Sequence, residues 1–294
     1  MIKFVQLLLL GLMEGGLYAI VAVAIVLVYK STHVVSLAHG QIMGFGALAF
    51  WVALAQLKLP LLVSLTLALA FAALVGWMIE RFAMRPLIGQ PLFAAFLTTF
   101  SLFLMMDGIF QLILKGESVS FAAYLPKGMV ALAGVPLPLT QLVSFGVSLM
   151  LFLGLALFYR FTKIGLGMRA TAEDHQLAQS TGISVRAIFS AIWVLSAAVS
   201  TVAGVALANV MDIYYTLPYV GIKGLIVALV GGLDSLPGAL LAGLLLGILE
   251  NVSAGYLDPL VGGGVKEVAA YALLLLVLLI KPYGLFGLVR IERI

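Results

Sequence analysis

The sequence predicts an all-α, polytopic integral membrane protein built as a helical bundle. Of its 294 residues, 64% are hydrophobic and only 10% are charged, and the mean hydropathy is +1.22. A soluble globular domain carries about 25% charged and about 45–50% apolar residues. Because a span needs about 20 apolar residues, the chain has room for about eight to ten transmembrane segments, which we assign to a single domain, residues 1–294.

Apolar windows place these segments along the chain. The first follows Lys3, continues past Glu14 and shows no small-residue cleavage site, so we interpret it as a span and not as a signal peptide. The glycine-rich segment 220–233 is too short to cross a bilayer at about 1.5 Å per residue, so we expect a half-helix or a re-entrant segment there. The predicted segments are 4–28, 34–56, 59–79, 92–114, 139–160, 187–210, 220–233, 236–252 and 265–281.

Small residues recur at the spacing that close helix packing requires. In lipid, helices associate where small side chains let their backbones approach each other. We therefore expect these positions to pack the bundle or a dimer. They are the pairs Gly11 and Gly15, Gly40 and Gly44, and Gly243 and Gly247, and the ladder Gly224, Ala228 and Gly232.

Basic residues predict the orientation in the membrane. Cytoplasmic loops carry an excess of Lys and Arg, and two predicted spans separate Arg81 and Arg85 from the basic loop 161–186. Both groups then lie on the cytoplasmic side, together with the C-terminal Lys281, Arg290 and Arg293 if both glycine-rich segments count as crossings. The loop 115–138, with Pro126, Pro136 and Pro138, is expected to face the outside.

One dense polar segment interrupts this apolar chain: GLGMRATAEDHQLAQSTGISVR, residues 165–186. We predict a short helix over 171–182, with Thr171 as N-cap, Glu173 and Asp174 in the first turn and Gly182 ending it in a left-handed conformation. Helices shorter than about 12–15 residues are marginal alone. Either this helix lies on its own bundle as a solvated loop, or it docks into a cytoplasmic partner.

Several kinds of chemistry are not supported by the sequence. There is no cysteine, no phosphate-binding loop and no HExxH motif, and His33, His39 and His175 are too scattered for a convincing metal site. We therefore expect no catalytic residue, no metal and no cofactor bound by this chain. The net charge of +4 is modest for a multi-pass chain and does not indicate nucleic acid as a partner.

Ionisable residues within predicted spans are candidates for function. Glu14 lies about 15 Å into the first span, where a charge costs at least about 2.5–3.5 kcal/mol, and Asp107 lies within the fourth. Each is expected to line a pathway or a subunit interface, or else to make a structural hydrogen bond. His39 beside Gly40 could contact a substrate or could be a packing histidine.

Several blocks of this sequence resemble the permeases of branched-chain amino acid ABC transporters. Residues 165–205 are similar to that family's cytoplasmic coupling loop and the span that follows, and 17–48 resemble its first two helices with an Ala-His-Gly signature. Further blocks in the right order are ERFAMRPL (80–87), GGLDSLPGALLAGLLLGILE (231–250) and KPYGLFG (281–287). The resemblance covers nearly the whole chain.

This resemblance implies one half of an importer in the bacterial inner membrane. A second permease chain, two cytoplasmic ATPases that bind ATP and magnesium, and an external substrate-binding protein would complete it, with the lipid bilayer around the permeases. The family's coupling helix corresponds here to Thr171 through Gly182. The residues that the resemblance associates with ATPase coupling are Arg169, Thr171, Glu173, Asp174, Leu177, Ala178 and Gly182.

The substrate stays open at this point. Many family members have Asn-Phe before Ala-His-Gly, where this chain has Ser36 and Leu37. Branched-chain or other hydrophobic amino acids are favoured, and urea, short amides or aromatic acids are alternatives within the same architecture. An ion-coupled secondary transporter would need paired broken helices, and the sequence offers one such candidate, at 221–237.

Overall fold

The computed structural model describes residues 2–120, 128–132 and 134–288, which form α-helices and one two-stranded sheet. The helix His39–Trp51 continues as a π-helix over Val52–Gln56, and the helix Leu61–Met78 continues through Ile79–Met84 and Arg85–Leu87. The elements are α1 (Ile2–Thr32), α2 (His39–Trp51), α3 (Leu61–Met78), α4 (Leu92–Leu114), β1 (Met129–Leu132), β2 (Val135–Pro138), α5 (Leu139–Phe161), α6 (Lys163–Glu173), α7 (His175–Ser180), α8 (Val185–Met211), α9 (Val220–Gly231), α10 (Leu236–Val261) and α11 (Val265–Ile280).

The prediction of a polytopic helical membrane protein is confirmed. Every predicted apolar segment contains a helix, and six helices of the described chain are long and apolar enough to cross a membrane. These helices differ in position: 89% of the apolar window of α1 is buried, against 17% for α5. Helix α1 is therefore the centre of the bundle, and α5 lies at its periphery with large apolar side chains facing outward.

The closest contact in the bundle is a glycine seam between α1 and α10. Gly11 lies against the backbone of Gly247, and Gly15 lies against the backbone of Gly243. A Cβ atom at any of these four positions would overlap backbone atoms of the facing helix. The two helices therefore pack backbone to backbone, as small residues permit in lipid.

Helices α2 and α9 both begin inside the bundle. Gly40 at the start of α2 contacts Pro218 and Gly221 at the start of α9. With 12 residues, α9 spans about 18 Å and cannot cross a hydrocarbon core of about 30 Å, so the predicted half-helix is confirmed. The predicted span 34–56 is wrong in its first part, since the helix begins only at His39.

The reason for this late start is tertiary. Residues 33–38 are non-helical, and the Val35 carbonyl accepts a hydrogen bond from the Thr99 hydroxyl of α4 (3.3 Å). The hydroxyl of Ser36 is paired with Nδ1 of His39 (2.9 Å). The first bond satisfies a backbone carbonyl of the non-helical segment, and the second pairs two buried polar side chains, since unpaired polar groups are costly in apolar surroundings.

The two ends of the bundle differ in composition. At one of them α1 finishes, α3 leads into α4, and α5 leads through α6 and α7 into α8; we call it the basic end. Its basic residues are Lys30, Arg81, Arg85, Arg160, Lys163, Arg169, Arg186 and Lys281.

The last described residues also lie at the basic end. The amides of Leu285 and Phe286 donate to the carbonyls of Val230 and Gly231 at the end of α9 (2.8 and 3.1 Å). The chain thus returns to the end that carries the polar segment, while Arg290 and Arg293 lie outside the described residues.

The opposite end carries an antiparallel hairpin that the sequence did not predict. In it Met129 pairs with Pro138 and Leu132 with Val135. Val135 and Leu137 are buried against Met13 of α1. The predicted loop 115–138 is thus partly β-structure, which packs against this end of the bundle. Its residues 121–127 and 133, including Pro126, lie outside the described part.

Candidate functional site

The polar segment folds as two short helices and not as one. Thr162 caps α6 by accepting a hydrogen bond from the Gly165 amide (2.9 Å). Asp174 then caps α7, with Oδ1 accepting from the amides of Gln176 (2.7 Å) and Leu177 (3.0 Å). The prediction of Thr171 as N-cap is wrong: it lies inside α6, fully buried. Asp is among the strongest N-cap residues. Asp174, three residues after Thr171, therefore starts a new helix, α7.

The end of α7 is as the sequence predicts. Gly182 has φ of +85°, and its amide donates to the Gln179 carbonyl (3.0 Å). This left-handed conformation favours glycine and ends the helix.

Helix α7 has an inner and an outer side. Ala178 is buried in a small cluster with Val185 and Phe189 of α8. Leu177, by contrast, is 65% exposed. The exposed polar residues around it are Glu173, Asp174, Gln176 and Gln179. The outer side therefore presents one large apolar side chain within a polar rim.

Two contacts connect this segment to the spans. Nε2 of His175 donates to the Ser31 carbonyl at the end of α1 (3.0 Å), and its ring lies edge-on to His33 and Phe189. Arg169 bonds the Tyr159 carbonyl and lies over the ring of that residue. Sequence reasoning did not predict this contact of His175 with α1. The available signal was the presence of a histidine, an uncommon residue type, within the polar segment.

The carboxyl group of Asp174 is electrostatically adapted to its capping role. The backbone amides of Leu177 and Gln176 stabilise its ionised form, which lowers the pKa of Asp174 below its ordinary value. The first turn of a helix favours negative charge for the same reason. The cap is therefore in its ionised form at neutral pH.

A second feature is a cavity of about 420 Å³ near the opposite end, between α1, α8, α9 and α11. One part of its wall is apolar, including Leu207, Val210 and Ile222. Its charged and phenolic lining residues are Glu14, Tyr18, Tyr219, Lys223, Lys266, Glu267 and Tyr271. Glu14 and Lys223 lie within apolar helices, where a charge faces lipid only at a large cost, so we expect this wall to face water or protein.

Glu14 is paired on one side of this cavity. Its Oε2 lies 2.9 Å from Nζ of Lys266 in α11 and accepts a hydrogen bond from the Asn251 side chain of α10 (2.8 Å). The predicted intramembrane carboxylate thus joins three helices at the cavity wall.

A second ion pair lies close by. Nζ of Lys223 in α9 is 3.0 Å from Oε1 of Glu250, whose Oε2 also accepts from the Tyr18 hydroxyl (3.1 Å). The same ammonium lies 3.9 Å from Oε1 of Glu267. Glu250 is fully buried, whereas the side chain of Glu267 is 64% exposed. Sequence reasoning missed Lys223 and Glu250, although each is an ionisable residue within an apolar segment, which is the rule that identified Glu14.

Asp107 belongs to a neighbouring hydrogen-bond network. The side chain of Gln41 donates to its Oδ1 (2.9 Å), and Gln111 donates to its Oδ2 (2.6 Å). The Tyr219 hydroxyl also donates to Oδ2 (3.3 Å). Because Tyr219 lines the cavity as well, it joins the network of Asp107 to the cavity wall.

His39 and Gly40 are not among the residues that line the cavity. His39 is fully buried, its Nε2 is 3.1 Å from the Ser196 hydroxyl, and its ring is tilted against Trp193. Gly40 permits the close approach of α2 to Pro218. The structure thus gives both residues contacts between α2 and its neighbours.

The predicted small-residue ladder in α9 is only partly on one helix face. Gly224 lies against Val21 of α1, and Ala228 is fully buried. Gly232, however, lies beyond the end of α9 with φ of +99° and contacts Gly287. It terminates the half-helix at the basic end and does not extend the face of Gly224.

Comparison with known proteins gives a consistent result along the chain. Residues 7–281 match the family model described as "Branched-chain amino acid transport system / permease component". The chain is 31% identical to the high-affinity branched-chain amino acid transport system permease protein BraD of Pseudomonas aeruginosa, over 99% of this chain and 98% of BraD. It is 29% identical to LivH of Escherichia coli, a permease protein described in the same terms, with the same coverage.

A solved structure with the same arrangement of helices was also found. PsaBC from Streptococcus pneumoniae, determined in complex with a Fab, covers 95% of this chain and 94% of its own with a TM-score of 0.52. Sequence identity is 16%, so this likeness concerns the arrangement of helices alone.

Proposed function

Since the chain belongs to the family of branched-chain amino acid transport permease components, we propose that it is the permease subunit of an ATP-driven importer. It is a multi-pass membrane protein, and the proposed location is the bacterial inner membrane. The proposed cargo is a branched-chain or other hydrophobic amino acid. A second permease, two ATPases and an external binding protein are the proposed partners.

The observation that carries ATPase coupling is the outer side of α7. Leu177 is exposed within a polar rim, on a helix of six residues that is too short to be stable alone. A partner that covers Leu177 would stabilise the helix and gain apolar contact area. Since the sequence contains no GxxxxGK[ST] loop, ATP and magnesium belong to that partner in this proposal.

The position of α7 also supports coupling. His175 connects it to the end of α1 (3.0 Å), and α1 continues without interruption to Tyr18 and Glu14 at the cavity. A displacement of α7 therefore reaches the cavity wall through one continuous helix. Arg169 and Glu173 belong to the same unit, and we propose that it lies on the cytoplasmic side together with the basic end.

Reconstitution into vesicles tests this proposal. The chain is co-purified with its ATPase subunits, and uptake of labelled leucine is measured with the binding protein outside and ATP inside. We expect uptake that requires hydrolysable ATP. Uptake that a sodium or proton gradient drives without ATP would instead identify a secondary transporter and contradict the proposal.

The same vesicles test the class of cargo. Leucine, a short amide, urea and an aromatic acid are compared at equal concentration, each with ATP inside. We expect leucine to be transported fastest. Faster transport of urea or of the amide would keep the ATP-driven mechanism and overturn the proposed cargo.

A further inference from the structure

We infer that the cavity beside Glu14 binds the free zwitterion of an aliphatic amino acid, with Lys223 binding its carboxylate and Glu267 its ammonium group. This inference rests on the proposed transport function, because it assigns a site to the cargo. It concerns the permease chain itself and not the external binding protein.

The charges of the cavity wall match a zwitterion. Two ammonium groups (Lys223 and Lys266) and two carboxylates (Glu14 and Glu267) line it. A neutral amide has no charge that could pair with the ammonium groups or the carboxylates of the wall. A simple carboxylate pairs only with the ammonium groups, and a simple amine only with the carboxylates. A ligand whose ammonium and carboxylate groups are attached to the same carbon uses both signs, and charge-assisted hydrogen bonds are stronger than neutral ones.

The ion pair between Lys223 and Glu267 is looser than its neighbours at the cavity and can open. Its atoms are 3.9 Å apart, whereas Lys223 lies 3.0 Å from Glu250 and Lys266 lies 2.9 Å from Glu14. Lys223 is fixed by Glu250 at 3.0 Å. Glu267 is 64% exposed and lies in the first turn of α11, so its side chain can swing to admit a ligand between the two groups.

The rest of the cavity suits an aliphatic side chain. Leu207, Val210 and Ile222 form apolar wall beside the charged residues. The volume of about 420 Å³ lies within the range of about 300–1,000 Å³ for small-molecule sites. If the aliphatic side chain of the amino acid lies on this wall, its ammonium and carboxylate groups lie at Lys223 and Glu267.

Binding at this site should be weak. The ligand replaces an existing ion pair and does not meet unpaired charges, so only part of each new interaction is a net gain. We expect a dissociation constant on the order of 1 mM. A transport intermediate benefits from this, since it must release its cargo.

Saturation-transfer NMR on the full-length chain in lipid nanodiscs tests the inference. The probes are L-leucine, which carries both charges, 3-methylbutylamine, which carries only the positive charge, 4-methylpentanoate, which carries only the negative charge, and the neutral 4-methylpentanamide. We expect leucine to bind at least tenfold more tightly than either singly charged probe, and the amide not to bind. Equal binding of leucine and the amide, or no binding of leucine, would overturn the inference.

The key variant is Glu267→Gln, because its exposure makes a folding defect unexpected. It should weaken leucine binding at least tenfold and make leucine no better than 4-methylpentanoate. Glu117→Gln is the matched control, an exposed carboxylate just after α4, and should bind leucine as the wild type does. Unchanged binding by Glu267→Gln would also overturn the inference.

The result is separable from the proposed function. ATP-driven leucine uptake together with unchanged binding by Glu267→Gln leaves the importer in place and removes this site. Leucine binding that depends on Glu267, together with uptake independent of ATP, keeps the site and removes the importer mechanism.

Discussion

The seam between α1 and α10 and the unit formed by α6 and α7 are attached to the protein in opposite ways. In the seam, four glycines place two long helices backbone to backbone. Helix α7 has smaller contacts: buried Ala178, the Asp174 cap, and His175, which bonds Ser31 and lies edge-on to His33 and Phe189. The difference indicates a rigid core and a weakly attached unit, since segments with few buried contacts open first. We call this unit, formed by α6 and α7, the lever.

The largest expected effect breaks the rigid side of this comparison. A valine at Gly247 would overlap the Gly11 carbonyl and the backbone of Gly15, and overpacking of this kind costs about 3 kcal/mol. We expect Gly247→Val to lower the denaturation midpoint strongly, or to abolish the monodisperse protein in size-exclusion chromatography.

Gly146→Ala is the matched control for this variant. Gly146 lies within α5, and a Cβ atom there meets nothing within 4 Å. Removing a helical glycine is expected to stabilise the protein by about 0.5–1 kcal/mol. Equal stability of Gly247→Val and the wild type would show that the seam can relax and that the core is less rigid than its geometry indicates.

The sequence predicts the seam better than the lever for a physical reason. GxxxG spacing is local to each helix, so Gly11 with Gly15 and Gly243 with Gly247 are visible along the chain. The start of α7 depends on a competition between Thr171 and Asp174 as caps, which the packing of α6 decides by burying Thr171.

The cavity shows the same limit. The rule for intramembrane charges identifies Glu14 and Asp107, but their partners come from distant parts of the chain. Lys266 is 252 residues from Glu14 and Gln41 is 66 residues from Asp107. Local patterns identify the ionisable groups, whereas the tertiary fold alone determines their partners.

The second prediction tests the connection between the lever and the core. In His175→Ala the hydrogen bond to Ser31 is lost, so α7 should move without displacing α1. We expect ATP hydrolysis by the reconstituted complex to continue while leucine uptake falls at least tenfold. His175→Gln should restore part of the uptake because its amide can donate to the same carbonyl. Full uptake by His175→Ala would show that α7 acts through another contact.

The third prediction concerns the outer side of the lever. Leu177→Asp places a charge where the proposed ATPase contact needs an apolar group, and should reduce the amount of ATPase that co-purifies with the chain several-fold. The melting temperature of the permease alone should not change, because Leu177 is 65% exposed. A lower melting temperature would indicate that Leu177 supports the bundle, and undiminished co-purification would remove it from the contact.

The smallest expected effect is the pH dependence of the lever. The pKa of Asp174 is lowered in the folded protein because the amides of Leu177 and Gln176 bind its ionised form. The stability it contributes to α7 is therefore fully present above the unfolded pKa, about 3.9 for Asp, and is lost as the pH falls through the lower folded value. Protection of the Leu177 amide from hydrogen exchange, corrected for intrinsic rates, should decrease as the solution is acidified below about pH 4. Asp174→Asn still caps but does not titrate, so it should show no such decrease; a decrease of equal size in this variant would assign the effect to another group at the basic end.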